Sequence, residues 1–179
     1  MNEIQELQSQ HYSGRAQNAV QSFLIRSLLI PKVYLNVDWY GQSMDVLAID
    51  RAGTGDIHGV RLVPWEPGKR DNNGYSSFLG KAASNAIQEF SDLPIHFRYL
   101  AIVCIEANKQ QWIPSREIED QSLAPDGVGR VGFLYVNVAE KDPNVKVLLK
   151  PERFRSSKHI VELADRFVAE HTANWEVRE

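Results

Sequence analysis

Three segments of strand character follow one another between residues 33 and 63, and only short glycine-containing turns separate them. Apolar and polar residues alternate over 33–37, as in a strand with one buried face. Apolar residues dominate 44–50, which favours a strand buried on both faces. A third strand is predicted over 57–63, after a turn with two glycines. Any fold for this chain must therefore join three consecutive strands by tight turns.

Helical periodicity brackets these strands, because apolar residues recur there at i, i+3 and i+4. The predicted helices are residues 14–30, 77–92 and 157–172, and the further predicted strands are residues 97–105, 131–138 and 145–149. Pro31 is expected to end the first helix, and the residues before Ser13 either extend it or fray. Helices interleaved with strands predict an α/β fold, with a central mixed β-sheet flanked by helices.

The length and composition favour one globular domain over residues 1–179. The net charge of -3 does not make the whole molecule attractive to polyanions, although a local basic patch stays open. Cys104, the one cysteine, lies in an apolar run, so we expect it in the core and the chain in a reducing compartment. No segment has the roughly 20 apolar residues of a membrane span. We expect a cytoplasmic protein with no membrane partner.

Residues 44–62 form the most informative segment. An acidic residue, Asp45, enters an apolar strand, a glycine hairpin follows, and a second strand returns with Gly59 and Arg61. This arrangement resembles the active-site hairpin of the restriction-endonuclease-like superfamily, whose motif is written PD-(D/E)xK. The order helix, three strands, helix, strand also resembles that family's core, over about residues 14–105, with C-terminal strands and a helix added.

The resemblance implies a particular chemistry. In this family, carboxylates on two neighbouring strands hold Mg²⁺ or Mn²⁺, which activates water against a phosphodiester, and a nearby lysine offsets developing negative charge. Asp45 falls on the first metal ligand, Gly59 on the second carboxylate and Arg61 on the lysine. Glycine cannot ligate a metal, and arginine holds phosphate but does not usefully give up its proton. The resemblance therefore implies an eroded catalytic site marked by Asp45 and Arg61.

Two alternatives stay open for this site. Glu89, on the second predicted helix, is a candidate relocated metal ligand, which would give an active Mg²⁺- or Mn²⁺-dependent endonuclease together with Asp45. Otherwise, Asp45 pairs with Arg61 across the hairpin as a structural ion pair, because a buried carboxylate needs a partner. If the site is empty, no cofactor is expected.

The densest run of basic residues lies near the C-terminus, opposed only by Glu152. Its members are Lys146, Lys150, Arg153, Arg155 and Lys158. They form a candidate track for a nucleic-acid backbone, since lysine and arginine neutralise phosphates. The alternative is a solvated edge between a strand and a helix.

These observations favour a nuclease-fold protein of DNA metabolism or defence, with weak or no cleavage, that binds nucleic acid or a protein partner. One rival is an active metal-dependent nuclease that uses Asp45 and Glu89. The other rival is a non-catalytic oligomeric scaffold. A homodimer is a further expectation, because proteins of the resembled family often pair. This step from fold to function rests on analogy.

Overall fold

The structure of the chain is a computed structural model. It describes residues 3–51, 54–64, 81–91, 93–105, 130–139, 141–154 and 159–173. Arg155 and Lys158 of the basic run, and the predicted start of the second helix, lie outside the described residues.

Three helices and six strands make up the described part of the chain. The helices are α1 (Glu3–Ser27), α2 (Lys81–Ser91) and α3 (His159–Ala173). The strands are β1 (Lys32–Trp39), β2 (Gln42–Ile49), β3 (Ile57–Pro64), β4 (Phe97–Cys104), β5 (Gly132–Asn137) and β6 (Asn144–Leu149). No helix among these is long and apolar enough to cross a bilayer.

The strands form one mixed sheet in which spatial order follows chain order, β1 to β6. Pairing is antiparallel from β1 to β3, parallel from β3 to β5, and antiparallel again between β5 and β6. The predicted α/β fold with a central mixed sheet is therefore confirmed. The parallel strands need long connections, and α2 lies in the one between β3 and β4.

Helices cover both faces of the sheet. On one face, α1 packs against the middle of the sheet through Ala16, Val20 and Leu24. On the other face, α3 covers the β1–β2 half through residues such as Phe167, and α2 covers β3 to β5 through residues such as Ile87. Each face consequently has its own core.

The boundaries of α1 differ from the predicted ones. The helix begins at Glu3, so the residues before Ser13 extend it, and it ends at Ser27 rather than at Pro31. Leu29 takes a left-handed conformation with φ 58°, and the N–H of Ile30 donates to the carbonyl of Leu24 at 3.1 Å. This turn ends the helix early because it directs Ile30, 2% exposed, into the core.

Two neighbouring strands lose their alternation at the same level of the sheet. In β1, Leu35 packs in the α1 core, whereas Val37 packs in the α3 core. Between them Asn36 adopts φ 50° and exchanges side-chain hydrogen bonds with Gln17 of α1. In β2, Met44 shares a core with Leu47, three residues away, although strict alternation would separate them. The β1–β2 hairpin therefore twists at this level, and Asn36 makes the twist in β1.

We expect the left-handed conformation at Asn36 to distinguish two small replacements. Asn36→Gly and Asn36→Ala both remove the bonds to Gln17, but only alanine retains a Cβ that opposes positive φ. Asn36→Ala should therefore unfold at lower urea concentration, with a free energy of unfolding about 1 kcal/mol below that of Asn36→Gly. Equal stability of the two variants would contradict this assignment.

Candidate functional site

The site begins where β2 parts from β3. Their pairing ends at Val46 and Val60, one residue short of Asp45 and Arg61. Beyond that point the N–H of Leu62 donates to Oδ2 of Asp45 at 2.8 Å, so a side chain replaces the missing backbone acceptor. A half-buried backbone donor without a partner would be costly, so Asp45 has a structural task at this position.

Arg61 links three elements at the same place. Its guanidinium donates through Nη1 to the carbonyl oxygen of Ser43 in β2, and Nη2 lies 2.7 Å from Oε2 of Glu89 in α2. Its Nε lies 4.0 Å from Oδ2 of Asp45. The structure thus brings together Asp45, Arg61 and Glu89, which the sequence had placed on two strands and a helix. The guanidinium lies between the two carboxylates.

The surroundings of Asp45 perturb the pKa of its carboxyl group. Burial raises the pKa of Asp45, and the hydrogen bond from Leu62 and the positive charge of Arg61 only partly offset that effect. The carboxyl group is therefore harder to ionise than an exposed aspartate.

Gly59, which the resemblance aligns with the second carboxylate, leaves no room for a side chain. A Cβ built on Gly59 would lie 2.6 Å from Cδ1 and 3.3 Å from Cγ2 of Ile95. Ile95 is 2% exposed and belongs to the core under α3, so it cannot move aside freely. No side chain fits at Gly59 while Ile95 keeps this position.

The donor set does not fit a divalent cation as arranged. Within the described residues there is no group of three or more histidine, cysteine, aspartate or glutamate side chains that could hold a metal ion. Asp45 and Glu89 supply two carboxylates, but the guanidinium of Arg61 takes the position between them. An Mg²⁺ or Mn²⁺ ion would have to displace that cation before it could bridge the two groups.

A cleft of about 510 Å³ adjoins Glu89 on this face. Its lining is Tyr40, Gln42, Asn85, Gln88, Glu89 and Leu93. Most of these are uncharged polar side chains that both donate and accept hydrogen bonds. Tyr40 is 64% exposed at the turn between β1 and β2, where a ligand could reach its ring.

The described members of the predicted basic run have different surroundings. Lys146 and Lys150 are exposed at the β6 edge of the sheet, and within the described residues neither belongs to an ion pair. Arg153 instead donates through Nε and Nη2 to Oδ1 of Asp56, at 2.9 and 2.7 Å. Its charge is therefore engaged with a buried carboxylate, unlike those of the two lysines.

Asp56 is a buried carboxylate whose partner, Arg153, the sequence did not reveal. It is 4% exposed, and burial opposes its ionisation, but hydrogen bonds from Arg153 and Thr54 outweigh burial and lower the pKa of Asp56. The nearby His96 accepts the N–H of Ile57 on Nδ1 at 2.9 Å. That nitrogen carries no proton, so its 3.7 Å separation from Asp56 is not an ion pair. No local pattern links Asp56 to a partner 97 residues away.

The comparisons with known proteins establish only a shared fold. No model of a known protein family matches the chain, and no curated protein sequence matches it. Among solved structures, the chain is similar to the SPO1766 protein of unknown function from Silicibacter pomeroyi, with a TM-score of 0.53 and 11% identity. The similarity covers 90% of this chain and 86% of that one.

The contact at Gly59 can be tested by a double-mutant cycle. We expect Gly59→Ala to lower the free energy of unfolding by about 2 kcal/mol, because the new methyl group meets Ile95. Ile95→Val removes the nearest atom, Cδ1, and should recover part of that loss in the Gly59→Ala background. Urea unfolding of the two single variants and the double variant measures the coupling. Strictly additive effects would show that Ile95 does not limit this position.

Proposed function

We propose that the chain is a nuclease-fold protein that binds nucleic acid and cleaves it weakly or not at all. The observation that supports this most directly is the position of Arg61 between Asp45 and Glu89, with Nη2 at 2.7 Å from Glu89 and Nε at 4.0 Å from Asp45. A guanidinium at this point supplies the charge that a metal ion would otherwise supply.

The restriction-endonuclease-like core is part of the same proposal. Its support is the element order, α1, three antiparallel strands, α2 and a parallel strand β4, together with the placement of Asp45 and Arg61 on neighbouring strands. The side chain of Ile95 in the space beside Gly59 is consistent with a site whose second carboxylate has been lost. In this proposal, the hydrophobic core beneath α2 and α3 occupies the space of the lost side chain.

Nucleic-acid binding rests on the β6 edge. Lys146 and Lys150 are exposed there, and the exposed Arg153 follows three residues after Lys150. With a net charge of -3, binding would depend on this local surface and not on the field of the whole molecule. Such contacts hold the phosphate backbone without selecting a sequence.

The catalytic half of the proposal is tested by titrating Mn²⁺ into the wild-type chain, Asp45→Ala and Glu89→Gln by calorimetry. We expect no binding at micromolar concentration in any of them, because Arg61 already neutralises the carboxylates. A plasmid-cleavage assay with Mn²⁺ should show at most weak activity. Glu170→Gln, an exposed change on α3, is the matched surface control.

The opposite outcome has a clear meaning. Micromolar Mn²⁺ binding that both Asp45→Ala and Glu89→Gln abolish would favour the active nuclease with a relocated carboxylate. That outcome is worth testing because both carboxylates already approach one guanidinium, so its displacement would leave two oxygen ligands facing each other.

The binding half is tested by fluorescence anisotropy with a labelled duplex and a single strand over a range of salt concentrations. The variant Lys146→Gln/Lys150→Gln should bind more weakly, and its salt slope should fall by about 2, since each lost phosphate contact removes about one unit. The control Lys32→Gln/Arg166→Gln removes the same charge at the β1 edge and on α3, and should bind like the wild type.

Equal loss in the two double variants would refute a β6 binding surface. If the wild type binds neither nucleic acid nor Mn²⁺, but forms one defined oligomer by light scattering, the scaffold hypothesis replaces this proposal.

A further inference from the structure

A second cleft lies on the α1 face, on the opposite side of the sheet from Arg61. It has a volume of about 460 Å³ and opens between the end of α1, the first residues of β3 and β4, and the end of β6. Phe23 and Leu28 contribute from α1, Phe97 and Tyr99 from β4, and Val147 from β6. A volume of this size suits a small molecule, and most of the wall is apolar.

His58 gives this cleft its chemistry. The residue is 8% exposed, its imidazole forms part of the cleft wall, and its Nδ1 is buried without a hydrogen-bond partner among the described residues. Buried polar atoms in folded proteins nearly always have a partner, because leaving one unpaired costs about 1–3 kcal/mol. A ligand in the cleft would supply the partner that the described residues lack.

The protonation state of His58 limits which ligand groups can form a hydrogen bond with it. Burial lowers the pKa of His58 to about 4, and the negative charges of Asp56 and Asp50 do not outweigh that effect. At neutral pH the ring therefore has one donor and one acceptor nitrogen. A hydrocarbon would leave Nδ1 without a partner, whereas a nitrogen heterocycle offers ring nitrogens that can accept or donate a hydrogen bond.

The shape of the wall favours a flat ligand. The rings of His58 and Phe97 are stacked with centroids 4.7 Å apart and planes 24° apart. The ring of Tyr99 is nearly parallel to that of His58, at 6.1 Å and 16°. A planar ring can extend this stack, as aromatic side chains do for nucleic-acid bases.

The charges around the cleft favour an uncharged ligand. Asp50, Asp56 and Lys150 line it, and Arg153 engages the carboxylate of Asp56. Carboxylates repel an anion and the two basic groups repel a cation, so neither charge gains a clear advantage. Hydrogen bonding and stacking are left to decide what binds.

We propose that this cleft binds a small, uncharged, planar nitrogen heterocycle, the chemistry of a nucleobase, which stacks against the aromatic wall and pairs with the imidazole of His58. Since Nδ1 is itself buried, pairing with it requires the imidazole to turn about its Cβ–Cγ bond. The site lies on the opposite face of the sheet from the Arg61 cluster, and it adjoins the proposed nucleic-acid surface at Lys150.

The test uses adenine as the probe, added to the full ¹⁵N-labelled chain and followed by NMR. Adenine should shift the backbone signals of residues in the cleft and the imidazole nitrogen signals of His58, with millimolar or tighter affinity. Benzoate, a planar anion without ring nitrogens, should bind at least about tenfold more weakly. The exposed variant Glu170→Gln should respond like the wild type.

Two variants test separately whether adenine pairs with His58 and whether it occupies the cleft. His58→Phe keeps an aromatic ring in the stack but removes both nitrogens, and it should weaken adenine binding about tenfold. Val147→Phe narrows the cleft from the partly exposed β6 side and should weaken binding without altering His58, which keeps the test valid if His58→Phe does not fold.

Three results would overturn the proposal. The first is that adenine leaves the cleft signals of the folded wild type unchanged. The second is that benzoate binds as tightly as adenine, and the third is that both variants bind adenine like the wild type. The first result would leave an ordered water as the partner of His58, the second would exclude a nitrogen heterocycle as the selected class, and the third would place adenine elsewhere.

Discussion

The N–H of Leu62 needs an acceptor at the point where β2 leaves β3, because the pairing of these strands ends at Val46 and Val60. Asp45 accepts this hydrogen bond at 2.8 Å, and Arg61 spans the same gap to reach the carbonyl oxygen of Ser43. Beyond this point the β1–β2 hairpin twists. At Asn36 the apolar side chains of β1 pass from one face of the sheet to the other. One carboxylate thus both completes the sheet and sets the charge of the site.

The same contact bears on the proposed loss of cleavage activity. A catalytic carboxylate must stay available to a metal, but Asp45 is committed to Leu62, and Glu89 is committed to Arg61 at 2.7 Å. The core also takes part, since Ile95 fills the space that a side chain at Gly59 would need. Structural bonds and packing therefore occupy the positions at which the resembled family carries out its chemistry.

The two faces of the sheet separate two kinds of site. Alternation along β3 sends Arg61 to the α2 face and His58 to the α1 face, where it stacks on Phe97. Polar contacts satisfy the first cluster within the protein, whereas the second retains a buried nitrogen without a partner among the described residues. A binding function and a structural pair can therefore lie only three residues apart in one strand without sharing a ligand.

Local patterns in the sequence predicted the strands and helices and the burial of Cys104. These follow from local periodicity, because neighbouring side chains alternate on a strand and return every 3.6 residues on a helix. Only the folded chain shows that Glu89 reaches Arg61, that Ile95 blocks Gly59 and that Arg153 binds Asp56 across 97 residues. Such contacts depend on where a helix or loop settles on the sheet, which is fixed by the packing of the whole core and leaves no local pattern in the chain.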